Sequence, residues 1–131
     1  MDRPQVLFAR MADHPEDSHI LARYEATGGY RMAKRALRMS REEIIEVVQQ
    51  SALLGRGGAA FATGIKWSFL APGRPSYLVV NGDESEPGTF KDRQLLERDP
   101  HQMIEGIVIA SVANEVHQAF VYVRGEYPKP A

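Results

Sequence analysis

Two stretches of the chain carry residues whose types and spacing could do chemistry. The first, Gly55-Arg56-Gly57-Gly58-Ala59-Ala60, has the spacing G-x-G-x-x-A, with Lys66 and the aromatic residues Phe61, Trp67 and Phe69 close behind it. With no bulky side chains in the way, the backbone N–H groups of such a loop can approach a phosphate closely, and Arg56 or Lys66 can offset its charge. The three aromatic rings offer flat apolar surface for stacking. Together these features suit a flavin or a dinucleotide. A plainer reading stays open at this point: a solvent loop, two solvated cations and three core aromatics.

Sequence context removes the better-known phosphate loops. A dinucleotide fingerprint should follow a strand, whereas this loop follows a helix, so an ordinary Rossmann turn does not fit. In a Walker loop the second glycine directly precedes the lysine; here five residues separate Gly58 from Gly64, and Ile65 intervenes before Lys66. Arg56-Gly57-Gly58 occurs once and does not make an RNA-binding RGG segment.

The second stretch is Asn81-Gly82-Asp83-Glu84-Ser85-Glu86-Pro87-Gly88, at the carboxyl end of an expected strand, where open α/β sheets place their ligands. Carboxylates at Asp83, Glu84 and Glu86 would repel phosphate. They are better suited to accepting hydrogen bonds from ribityl or ribose hydroxyls, or to binding a metal, although the D-x-D-x-D-G calcium spacing is absent. A hydrated turn is the structural alternative. Tyr122 and Glu126 flank the end of a later strand and share the sheet edge with this loop if the two strands are parallel. His14, His19, His101 and His117 lie far from any Ser or Cys nucleophile pattern and read as surface or capping residues.

The elements that must position these residues follow from periodicity and capping. Residues 1–29, with Pro4, Pro15 and Gly28-Gly29, lack sustained periodicity and read as an extended arm with one helical turn, an interaction surface or scaffold. A short helix is expected over Tyr30 to Leu37. Ser40-Arg41-Glu42-Glu43 is a capping box opening a helix from Arg41 to about Leu53, with an apolar stripe of Ile44, Ile45, Val47, Val48 and Ala52. Thr63 is an expected N-cap for a short helix, and Pro72-Gly73 breaks the chain. Tyr77-Leu78-Val79-Val80, apolar without alternation, reads as an interior strand covered on both faces. Asp99-Pro100 starts the second long helix, whose apolar positions are Met103, Ile104, Ile107, Val108 and Ser111. Ala119 to Val123 is the next strand, which makes a parallel βαβ unit with a right-handed crossover. Beyond it come Arg124-Gly125-Glu126-Tyr127, then Pro128 and Pro130. Two strands are few for a finished α/β sheet, so the domain reads as incomplete.

Composition sets outer bounds. A chain of 131 residues that is 44% hydrophobic has the size of one domain or part of one. A net charge of −1 predicts neither nucleic-acid binding nor a polybasic membrane patch. Despite Arg3 and Arg10, no signal-peptide run follows, and no stretch approaches the roughly 18 apolar residues of a membrane span. A soluble cytoplasmic chain is expected. The absence of cysteine leaves no thiolate to hold an iron–sulfur cluster.

Taken together, Leu54-Gly55-Arg56-Gly57-Gly58-Ala59-Ala60-Phe61-Ala62-Thr63-Gly64-Ile65-Lys66-Trp67 resembles the R-G-R-G-G-A-G-F-P-T-G-x-K-W loop of the NADH- and FMN-binding flavoprotein subunit (51-kDa type) of respiratory complex I. Asn81 to Arg93, Asp99-Pro100-His101 and Tyr122 to Tyr127 follow in the order of that family's signatures, and the resemblance extends over about residues 24–127. It implies a partial Rossmann-like flavin-binding α/β domain with an N-terminal helical arm: residues 1–29 the arm, 30–131 the N-terminal part of an FMN/NADH-binding domain. It also implies FMN held by Gly55, Arg56, Gly57, Lys66, Asn81, Asp83, Glu84, Tyr122, Gly125 and Glu126. Phe61 and Phe69 would stack on the adenine of NADH, and Glu86 would hydrogen-bond the nucleotide. The implied reaction is hydride transfer from NADH to FMN, which needs alignment of two cofactors and no side-chain nucleophile.

By the same resemblance the partners are a thioredoxin-like 2Fe–2S subunit and an iron–sulfur subunit, and the location is cytoplasmic, peripheral on the inner face of the membrane through the complex, with no direct insertion. The family's [4Fe-4S] cluster sits in a helical domain absent from this chain. Three positions depart from the loop pattern: Leu54 for arginine, Ala60 for glycine and Ala62 for proline. A methyl group at Ala60 matters if the backbone there needs positive φ. The equivalent subunit of an NAD-dependent formate dehydrogenase or NAD-reducing hydrogenase shares these motifs, and an inactive or partner-binding remnant is the non-enzymatic alternative.

Overall fold

The computed structural model describes residues 6–71 and 73–127. Arg3, Pro4, Pro72, Pro128 and Pro130, named above, lie outside the described residues. In chain order the elements are α1 (Ala9–Asp13), α2 (Leu21–Ala26), α3 (Arg31–Ala36), α4 (Arg41–Gln50), α5 (Thr63–Ser68), β1 (Tyr77–Gly82), α6 (Lys91–Arg98), α7 (Pro100–Ala113) and β2 (Gln118–Val123). The fold is α/β. The strands pair in parallel, Tyr77 opposite Gln118 through Gly82 opposite Val123, so the βαβ expectation holds, with two helices in the crossover.

Helix α4 starts as its sequence dictates. Glu43 N donates to Ser40 Oγ and Ser40 N to the Glu43 carboxylate, 2.7 Å away, which satisfies two amides that the first turn leaves unpaired. Its inner face then buries Ile44 and Ile45 against Ala36 and Ala113, with Met39, Val48, Trp67, Ile109 and Val112 packed around them. Val47 and Ala52, expected in that stripe, are exposed. Helix α7 packs against α3, α4 and α6 and touches both strands. It is apolar nearly all round, so Ile109, Val112 and Ala113 serve the core while Ile107, Val108 and Ser111 line an open hollow.

Several expectations are corrected. The arm is not extended: it holds α1 and α2, and it buries Met11, Ser18 and Tyr24. What orders it is remote in sequence. Ser18 Oγ donates to the Arg98 carbonyl at 2.7 Å, Arg10 pairs with the fully buried Asp99 at 2.7 Å, and the Arg10 guanidinium lies 4.1 Å from the Tyr24 ring centre. Asp99 occupies the N-cap position of α7 with Pro100 behind it, yet its side chain makes no cap bond, because one oxygen turns to Arg10. Thr63 is the first residue of α5; the N-cap is Ala62, with no side-chain bond. Strand β1 is not covered on both faces, since Tyr77, Val79 and Asn81 are exposed while Leu78 and Val80 are half-buried.

Candidate functional site

The glycine loop is closed at its base by an isolated antiparallel bridge, Leu54 opposite Ala62. Gly55 N donates to Phe61 O at 2.7 Å, and Thr63 N to Leu53 O at 2.8 Å. Between those closures, and among the described residues, no amide of residues 56–60 donates to a protein acceptor. Gly57 and Gly58 have open space where a side chain would be, and Gly58 takes φ +100°. A loop with free amides and uncrowded glycines can receive an anion.

Helix α5 carries the lysine and leads into the second phenylalanine of the site, and two contacts fix it. A Cβ on Gly64 would lie 2.6 Å from Gln49 N, so α5 crosses α4 at backbone contact that only glycine permits. Arg41 donates through Nη2 to the carbonyls of Trp67 and Leu70 at the end of α5, and through Nε to that of Ala113 at the end of α7. One guanidinium thus ties the end of α5 to the end of α7 through their carbonyls.

Gly55, Gly57, Ala60, Phe61, Lys66, Trp67 and Tyr77 are among the residues around a cleft of about 490 Å³. The Phe69 ring stands 6.0 Å from that of Phe61 at an interplanar angle of 48°, and both are exposed, so an apolar pair faces water beside the loop. Arg56 and Lys66 are exposed and, among the described residues, form no ion pair. A larger hollow of about 900 Å³, between Gly73–Pro75 and α7, contains none of the candidate residues. Chemistry favours the smaller cleft.

The remaining candidates gather at the carboxyl ends of the two strands. Asn81 pairs with Tyr122, and the loops that follow leave from one edge, as parallel pairing requires. Asn81 Oδ1 accepts from Asp83 N at 2.9 Å, and Asp83 Oδ1 accepts from Ser85 Oγ at 2.7 Å. The Glu84 carboxylate is buried and takes the amides of Asp92 (3.0 Å) and Arg93 (3.3 Å), so it caps α6. Glu86 is exposed, and its carboxylate has no partner among the described residues. Gly125 and Glu126 are exposed, and Glu126 is held below the usual carboxylate range chiefly by the hydrogen bond from Arg124, then by its own amide.

The bare sheet face connects the two groups. Because side chains alternate, Tyr77, Val79 and Asn81 share a face with Gln118, Phe120 and Tyr122, and the Tyr77 and Phe120 rings lie 6.2 Å apart. Tyr77 borders the glycine-loop cleft, and Asn81 with Tyr122 ends at the acidic loop. The strand between them runs roughly 13 Å at about 3.3 Å per residue, a floor suited to an extended mononucleotide.

Missing from the sequence reading are Arg124 and α6; the positive φ that would make a methyl group at Ala60 matter is present, at +49°. Arg124 stands inside the Tyr122–Tyr127 motif, so the signal was present and only its role was unassigned. Among the described residues no group of three or more His, Asp or Glu is placed to hold a metal ion.

An α/β chain with a free-amide glycine loop, an apposed aromatic pair and an acidic strand-end loop has the architecture that suits a nucleotide cofactor. Residues 48–131 match the family described as the Nuo51 FMN-binding domain, and the chain belongs to that family. It is 54% identical over 121 residues to the F 2 subunit of the NADH-quinone oxidoreductase of Rhizobium meliloti (strain 1021), covering 90% of this chain and 28% of that protein. The F subunit of the NADH-quinone oxidoreductase of Aquifex aeolicus (strain VF5) is 55% identical over 112 residues, covering 84% and 26%. A chain in the crystal structure of NAD+-reducing [NiFe]-hydrogenase in the air-oxidized state superposes with a TM-score of 0.68 at 32% identity, covering 98% of this chain and 21% of that one. The chain therefore spans about a quarter of the length of the curated relatives it matches.

Proposed function

We propose that this chain is the N-terminal FMN- and NADH-binding module of an NADH dehydrogenase flavoprotein subunit. Residues 30–131 would be the first part of the cofactor domain and 1–29 its arm, of which the described residues, 6–29, fold onto it. The observation that carries the reading is the glycine loop: free amides at residues 56–60, open space before Gly57 and Gly58, and Lys66 and Trp67 at the same cleft. Bound FMN would supply an acceptor for a hydride that can pass electrons on to iron–sulfur centres.

The chain's own residues bind and orient. Loop amides, Arg56 and Lys66 would meet the phosphate, while Asn81, Asp83, Tyr122, Gly125 and Glu126 would meet the ribityl chain and ring. Glu84 would act by fixing the acidic loop, since its carboxylate is engaged by α6. Phe61 and Phe69 would stack on adenine, and Glu86 would accept a hydrogen bond from NADH. The other subunits, including a thioredoxin-like 2Fe–2S subunit and an iron–sulfur subunit, would carry electrons away. Among the described residues no helix is long and apolar enough to cross a membrane, which fits peripheral attachment through such a complex. The corresponding subunit of an NAD-reducing hydrogenase is the second reading, favoured by the structural likeness at 32% identity.

Trp67 is the chain's single tryptophan and borders the cleft, so it reports binding directly. FMN titrated into the purified chain should quench Trp67 emission saturably, and NADH added anaerobically should then bleach the flavin absorbance. Absence of any FMN uptake would sink the reading for these residues on their own; uptake without bleaching would remove its NADH half.

A further inference from the structure

The motif that supplies Gly125 and Glu126 also contains Arg124, and this residue joins the two strand exits. Its Nη1 donates to the Glu84 carbonyl at 3.0 Å, and its Nη2 and Nε donate to the two oxygens of Glu126 at 3.0 and 3.3 Å. Nε also lies 3.8 Å from Asp83 Oδ1. The neighbouring cations are otherwise engaged: Lys91 pairs with Asp92, and Arg93 pairs with Glu97 while lying over the Tyr127 ring. Among the described residues, Arg124 is therefore the cation facing both Asp83 and Glu126. An ion pair this open to water adds little to stability. A planar, bidentate fork does fix direction, which a lysine cannot reproduce.

We propose that Arg124 is a positioning residue of the flavin site, clamping the exits of β1 and β2 and holding the Asp83 and Glu126 carboxylates as a pre-set pair of acceptors for the ribityl hydroxyls of FMN. The proposal rests on the flavin reading above. Without the cation that they share, the two carboxylates would repel each other and splay, and Glu126 would take up a proton more readily and lose acceptor capacity. The guanidinium holds Glu126 in its ionised form and lies beside Asp83, so the cost of orienting the two is met before the ligand arrives.

The test is FMN fluorescence titration of the 131-residue chain between pH 5 and 8, comparing the unaltered protein with Arg124→Lys, Arg124→Gln, Glu126→Gln and the Arg124→Gln/Glu126→Gln double variant. Arg124→Gln should weaken binding about tenfold, the size of one charge-assisted contact, and Arg124→Lys nearly as much. The ratio between Arg124→Gln and the unaltered protein should widen toward pH 5, because Glu126 then faces Asp83 and Tyr127 without its cation, whereas ionisation of the FMN phosphate, at about pH 6, affects both proteins alike. The double variant should lose less than the sum of the two single losses, since the arginine acts in part through that carboxylate. In the ligand-free chain, carboxyl NMR should show Glu126 titrating higher in Arg124→Gln. A merely structural role would move neither the pH profile nor that titration.

Affinity and pH profile equal to those of the unaltered protein in both arginine variants would overturn the proposal, as would fully additive losses in the double variant, which would mean that Arg124 touches FMN itself. If Arg124→Gln fails to fold by circular dichroism, Arg124→Lys and Glu126→Gln carry the comparison. An unaltered chain that takes up no FMN would remove the flavin reading and this proposal with it, an outcome distinct from flavin binding that ignores Arg124.

Discussion

Tyr24 on α2 donates its hydroxyl to Glu105 on α7, 81 positions further along the chain. The same carboxylate accepts the amides of Tyr30, Met32 and Ala33 at 2.9, 3.0 and 3.0 Å, so one side chain serves the first turn of α3 and docks the arm. Burial pushes Glu105 up, but the Tyr24 hydroxyl and the three amides outweigh it and leave the carboxyl below its usual range. A depressed carboxyl stabilises the fold above its unfolded value, about 4.3, and the contribution is lost as pH falls through the lower folded value. Glu105→Gln should therefore cost about 2 kcal/mol at neutral pH. That deficit should shrink below about pH 4. Urea denaturation at several pH values checks this, and a deficit independent of pH would refute the assignment.

Ala60 should be improvable. Its φ of +49° lies in the left-handed region. There a Cβ costs about 1–2 kcal/mol, while the extra unfolded-state freedom of glycine costs about 0.5–1. Ala60→Gly should accordingly gain about 0.5–1 kcal/mol in a thermal melt. It should also bring the loop to the glycine pattern of the resemblance, so FMN uptake should be no weaker. A lower melting temperature would show that the loop is not strained there.

Glu84 separates a structural role from a ligand role. If its carboxylate caps α6 through the amides of Asp92 and Arg93, Glu84→Ala should lower ligand-free stability by about 1–2 kcal/mol, the usual cost of a lost cap. Glu84→Gln, which keeps one acceptor oxygen, should lose less. A ligand-free melt unchanged in Glu84→Ala would return this residue to the cofactor alone.

What could be read in advance was local. Ser40 and Glu43 are three residues apart and determine each other's geometry, so the start of α4 was legible; so were Asp99-Pro100 and the strand pair. Helix α6 was not, because Lys91–Arg98 offers only Leu95 and Leu96 as apolar residues and takes its capping carboxylate from Glu84 outside the helix. The arm read as extended because the partners of Arg10, Ser18 and Tyr24 lie at Asp99, Arg98 and Glu105. The run Tyr77-Leu78-Val79-Val80 encodes a strand apolar on both faces, yet one face is bare among the described residues, which is why Tyr77, Val79, Phe120 and Tyr122 remain exposed. In the candidate site, residue types and spacing picked out both loops. Only the folded chain reveals that Glu84 turns away to α6 and that Arg124 joins Asp83 to Glu126.

The aromatic pair provides the sharpest division of labour. Phe61 and Phe69 face each other at 6.0 Å at the rim of the glycine-loop region, and neither is buried in the core. Truncating an exposed ring leaves no core cavity, so Phe61→Ala and Phe69→Ala should shift stability by no more than about 0.5 kcal/mol. If the pair stacks on adenine, each truncation should weaken NADH by about 1–1.5 kcal/mol, roughly tenfold, as judged by the concentration that half-bleaches the bound flavin. If loop amides and Lys66 set FMN affinity, as proposed, it should stay within about twofold, while Lys66→Ala should do the reverse and weaken FMN first. Loss of FMN in the phenylalanine variants would mean that the rings hold the flavin itself, and the adenine assignment would have to be withdrawn.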